Sequence, residues 1–145
     1  MPQAIDFDTH VYEPLSVWTD FLEPKFRDRS PQWVKGAENR LGVEVGGKFY
    51  PSVPNHPGMA KIYADDSTVD RSGNDPATRL KWMDERDVDV QIIFPTLGMH
   101  GFSGSVADGA LAGAFSRAYN RYMAEFVTRD PRRLRGAMIV PANHP

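Results

Sequence analysis

The run Val88-Asp89-Val90-Gln91-Ile92-Ile93-Phe94 narrows the fold of this chain more than any other stretch. It is β-branched and nearly continuously apolar, which is the pattern of a strand covered on both faces, as in a parallel sheet. Parallel neighbours need long crossover connections, and the flanking sequence supplies them. Upstream, Asp75 is placed to cap a helix whose first position is Pro76, with Leu80, Met83 and, at the margin, Trp82 as its buried stripe. Downstream, a long helix is predicted over 106–129, where Leu111, Phe115, Ala118, Tyr122 and Phe126 recur at helical spacing. Ser105 or Asp108 would cap it, and Asp130-Pro131 stops it. Residues 134–140 then read as a further buried strand, and residues 4–9 as the first. Three strands separated by helices argue for βα units and an α/β architecture with a parallel sheet.

The first strand ends unusually. In Ile5-Asp6-Phe7-Asp8-Thr9-His10, alternation puts Asp8 and His10 on one face, since residues two apart in a strand point the same way. The same rule places Asp6 further down that face and turns Ile5 and Phe7 toward packing. An aspartate and a histidine side by side can serve as two ligands of a divalent metal. Spacing alone equally describes a loop-capping aspartate next to a surface histidine. After the strand, Pro14 suits the first turn of a helix running to about Leu22, with Leu15, Trp18 and Leu22 on one side.

Residues 23–74 form a long excursion rich in proline, glycine and polar residues. Within it, 41–50 alternates apolar and polar residues around Gly46-Gly47, a hairpin signal. Connections of this length in compact domains are usually functional or mobile. Following the first strand, the hairpin is expected to lie over the strand ends as part of a lid, with Phe49 and Tyr50 shaping an apolar wall of a substrate pocket. The loop Gly98-Met99-His100-Gly101-Phe102-Ser103-Gly104-Ser105 satisfies neither a nucleophile elbow nor a phosphate loop: the elbow's last glycine is Ser105, and no lysine is present.

With 145 residues the chain is one domain in size, 1–145, with 23–74 as an insertion inside it. A net charge of −2 gives no reason to expect nucleic acid or an anionic membrane surface as partner. The absence of cysteine excludes disulfides and thiolate ligands and suits a reducing cytoplasm. Residues 1–15 carry three acidic and no basic side chains, unlike a secretory leader, and no apolar run approaches the roughly 20 residues of a membrane span.

The stretch from Ile5 to Pro14 resembles the opening of the amidohydrolase-related family that includes aminocarboxymuconate semialdehyde decarboxylase and the resorcylate decarboxylases. Arg79-Leu80-Lys81-Trp82-Met83-Asp84, with Val88-Asp89-Val90-Gln91 and Phe94-Pro95-Thr96-Leu97-Gly98, resembles the family's second βα segment. Ala118-Tyr119-Asn120-Arg121-Tyr122, with Asp130-Pro131-Arg132-Arg133-Leu134, resembles the next helix and turn. The resemblance implies part of a metal-dependent TIM (β/α)8 barrel. A whole barrel takes about 250 residues, so three βα units and the insertion make its N-terminal portion.

It further implies that Asp8 and His10 bind a divalent metal, zinc first and manganese second, without the His and Asp that later strands of the family add. The implied chemistry is hydrolysis, or non-oxidative decarboxylation by a lyase, of a small carboxylated or aromatic compound. No catalytic acid or base is assignable. Glu13, His100 and His144 are candidate substrate contacts beside Phe49 and Tyr50, and His56 is a weaker one. Whether the chain is itself an active enzyme is open. The alternatives are a non-catalytic fragment or interaction domain lacking a working metal site, and association with further copies as a homo-oligomer is left open.

Overall fold

The computed structural model describes residues 4–14, 16–35, 41–45, 48–51, 72–96, 98 and 108–141. Its central sheet has three parallel strands: β1 (Ile5–Val11), β5 (Val90–Pro95) and β6 (Leu134–Gly136), in the order β1-β5-β6. This is the arrangement expected from the apolar runs, although β6 is shorter than the predicted 134–140. Beyond Gly136, Ala137 still donates its N–H to the Ile93 carbonyl at 2.8 Å, so the chain follows its neighbour past the strand's end.

Two helices make the crossovers. In α2 (Pro76–Glu85), the Asp75 side chain accepts the Thr78 N–H at 2.7 Å and Pro76 occupies the first turn, as the sequence indicates. In α3 (Gly109–Val127), Asp108 is the cap, accepting from Ala110 and Leu111. The α3 stripe of Leu111, Phe115, Ala118, Tyr119, Met123 and Phe126 is buried against Ile93, Leu134, Val11 and Met83. Trp18 completes this core edge-on to Phe115, their ring centroids 5.9 Å apart. Tyr122, a member of the predicted stripe, is partly buried and packs against this core.

The segment after β1 is less helical than expected. α1 is one turn (Val17–Asp20), followed by a 3-10 helix (Pro24–Arg29). Trp18 and Leu22 are buried as predicted, while Leu15 lies outside the described residues. A second sheet follows: β2 (Gln32–Lys35), β3 (Leu41–Val45) and β4 (Lys48–Pro51), antiparallel in the order β2-β3-β4. The expected hairpin is β3–β4, and β2 is an addition the sequence did not announce. A 3-10 turn (Ser72–Asn74) leads into α2.

The face assignment of β1 needs correction. Asp6 pairs with Gln91 and Thr9 with Ile93, so three steps on β1 match two on β5. One extra residue is inserted, a β-bulge, and alternation inverts across it. Asp6 accordingly reaches the Gln91 amide at 3.1 Å, and Thr9 accepts from Arg79 of α2 at 2.9 Å, both on the helix-covered side. Asp6 therefore does not extend the row of Asp8 and His10. Ile5 and Phe7 are not packed either; they are 38% and 69% exposed, as Met138 and Val140 are beyond β6.

Candidate metal-ligand site

The bulge delivers Asp8 and His10 together. The Asp8 carboxylate lies 3.4 Å from His10 Nε2, with Asp8 almost wholly solvent-exposed and His10 partly so. The ring's other nitrogen, Nδ1, is 2.9 Å from the Pro95 carbonyl oxygen at the end of β5. A carbonyl can only accept, so Nδ1–H donates to it, and Nε2 is the nitrogen that faces the Asp8 carboxylate. The Phe94 ring, 5.9 Å from the imidazole between centroids, supports the ring from the neighbouring strand.

A carboxylate oxygen beside an imidazole nitrogen is the mixed donor pair that zinc- and manganese-type ions take. The donor set therefore fits a divalent metal, and the backbone carbonyl behind the histidine is the usual device that fixes a ligand's tautomer. Two ligands are half a structural shell. Among the described residues no group of three or more His, Asp or Glu side chains converges on one point.

Glu13 is not a solvated charge. It is 1% exposed, and its carboxylate accepts the N–H groups of Thr96 (3.2 and 3.1 Å) and Gly98 (3.1 Å). It ties the segment after β1 to the loop after β5, which begins next to the Pro95 that faces His10. Gly98 is suited to this approach, because a Cβ there would lie 3.2 Å from the Glu13 carboxylate and 2.5 Å from Ile139.

On α2, Arg79 is 4% exposed and bonds the His10 carbonyl at 2.7 Å. The sequence did not single it out, since a lone arginine on a helix normally reads as solvated surface. Phe49 is half-buried on β4. The Tyr50 side chain and His56, His100 and His144 lie outside the described residues.

Comparison with known proteins supports the fold. No protein-family profile matches the chain, and no curated protein does. Among solved structures, an amidohydrolase from Mycobacterium avium subsp. paratuberculosis K-10 superposes with a TM-score of 0.64 at 24% identity. The match covers 94% of this chain and 42% of that one. A dihydroxybenzoic acid decarboxylase from Polaromonas sp. JS666, solved with bound manganese and the inhibitor 2-nitroresorcinol, aligns at 17% identity and a TM-score of 0.47 over 97% of this chain and 31% of that one. The first agrees with the fold that the sequence resemblance implies. The chain thus has the fold of part of an amidohydrolase and spans less than half the length of that structure.

Proposed function

We propose that this chain carries the first part of the metal site of an amidohydrolase-related enzyme, one that hydrolyses or decarboxylates a small carboxylated or aromatic compound. The observation that carries the reading is the orientation of His10: its Nδ1 faces the Pro95 carbonyl, so its Nε2 faces Asp8 at 3.4 Å. The amidohydrolase fold and the resemblance of the opening stretch support it. When bound, a divalent ion of the zinc or manganese type would activate a water or polarise a substrate oxygen.

The chain's own residues have defined work in this reading. Asp8 offers an oxygen and His10 a nitrogen, Pro95 holds the tautomer, and Glu13 fixes the loop that begins at Thr96, next to Pro95. Further ligands are needed for a firm site, and His144 and His100 follow strands whose ends carry the active groups in barrel enzymes. The β3–β4 hairpin, with Phe49 and Tyr50, is assigned to a lid over the substrate. Small-molecule turnover in the cytoplasm, with self-association through further copies, belongs to the same proposal.

The test is calorimetric titration of zinc and manganese into wild type, Asp8→Ala and His10→Ala. Each substitution should weaken binding at least 10-fold, the effect expected when one of two ligands is removed. Equal affinities in all three would end the assignment of Asp8 and His10 as ligands.

A further inference from the structure

Arg79 is a buried cation whose bonds all end on neutral oxygens. Its Nε donates to the Gly73 carbonyl at 2.9 Å and Nη1 to the Thr9 hydroxyl at 2.9 Å. Nη1 also reaches the Gln91 side-chain oxygen at 3.3 Å, and Nη2 the His10 carbonyl at 2.7 Å. Its guanidinium carbon stands 5.9 Å over the Phe126 ring. Withdrawing a guanidinium from water costs several kcal/mol, and filling the same space with an apolar side chain would be cheaper if packing were all that was required. What the fork provides instead is simultaneous attachment of three chain segments.

Two of its four acceptors belong to the ligand-bearing end of β1. Thr9 lies between Asp8 and His10, at the far side of the bulge, and the His10 carbonyl belongs to a ligand residue itself. The third segment is the return of the 23–74 excursion. Gly73 suits it, because a Cβ there would lie 3.3 Å from Arg79 Nη2 and 2.9 Å from the Trp82 ring. Next to it, Asn74 accepts the Tyr12 N–H at 3.0 Å.

We infer that Arg79 is a positioning residue for the Asp8–His10 pair. It acts through the Thr9 hydroxyl and the His10 carbonyl, and it clamps the returning excursion to the same point. The inference rests on the reading of Asp8 and His10 as ligands. Arg79 touches no reacting group. It sets the peptide from which the imidazole hangs, and so the ring's approach to Pro95 and to Asp8. Loss of a supporting partner of this kind typically weakens metal binding about 10- to 100-fold.

The experiment compares wild type with Arg79→Met, Arg79→Lys and, exposed just past the end of α2, Arg86→Met. Two quantities are read besides melting temperature: zinc affinity, and the ring ¹⁵N shifts of His10 without metal, which report its tautomer. Arg79→Met should lose about 10-fold or more in zinc affinity and show a mixed tautomer. Arg79→Lys should recover part of both, since one ammonium replaces one arm of the fork. Arg86→Met should change neither. A folded Arg79→Met with wild-type affinity and a wild-type His10 spectrum overturns the inference. If Arg79→Met does not fold, Arg79→Lys and Thr9→Val decide by the same two readouts, and wild-type values in both overturn it. Asp8→Ala and His10→Ala run in parallel separate the two claims: if they spare zinc binding, the ligand reading fails on its own and the tautomer alone judges Arg79.

Discussion

Glu13 shows how one residue organises the candidate site without entering it. Both carboxylate oxygens are occupied by backbone N–H groups from the loop after β5. Its charge, with burial as the larger cause, also holds the phenols of Tyr119 and Tyr122 well above the ordinary tyrosine range. Glu13→Gln keeps the shape but turns an amide NH2 toward a backbone N–H, leaving buried donors in conflict. It should cost about 1–3 kcal/mol in urea unfolding, and an unchanged midpoint would show that the cage does not hold the loop. Residues of this kind are the least legible in sequence. Asp8 and His10 stood out because their spacing is local. Glu13 read as a candidate substrate contact and Arg79 drew no reading of its own, because Glu13's partners lie 83 and 85 positions away and Arg79's partners on β1 lie 70 and 69 away, and no short-range pattern encodes that.

At the scale of elements, the caps and apolar stripes of α2 and α3 were legible, as was the hairpin. The bulge in β1 was not, because it exists only in register with β5. Nor was β2, four residues long and recognisable only by its pairing with β3.

One helix end carries visible strain. Asp87, just past α2, has φ of 53°, the left-handed region that glycine occupies freely. Asp87→Gly should raise unfolding stability by about 1 kcal/mol, and a loss of stability would mean the aspartate side chain is itself needed there.

The caps also set a pH dependence. Bonds from Thr78 lower the pKa of Asp75, those from Arg29 lower that of Asp108, and Arg117 does the same for Glu23. A depressed carboxylate means the unfolded chain binds protons first. These groups therefore contribute fully above their ordinary values of 3.8 and 4.5, and the contribution fades as pH falls through the lower folded values. The urea midpoint should be flat from neutral pH to about 5 and decline below; constancy down to pH 3 would contradict this.

Across the whole molecule, helices cover one face of the β1-β5-β6 sheet, while Phe7, Met138 and Val140 remain 69%, 72% and 67% exposed. Exposed large apolar side chains of this kind mark surfaces that associate. In sedimentation, the chain should self-associate with rising concentration, and Phe7→Asp combined with Met138→Asp should shift it toward monomer. If the double variant sediments like wild type, that face is not what associates.

The central claim is that His10 offers Nε2 to a divalent metal while Nδ1 stays bonded to Pro95. Ring ¹⁵N spectra of all four histidines during zinc titration test it most directly. The account predicts that the His10 Nε2 resonance moves on zinc addition, that its Nδ1 keeps its proton, and that Asp8→Ala blunts the change. Zinc-dependent shifts at the other histidines with none at His10, or loss of the Nδ1 proton, would contradict it.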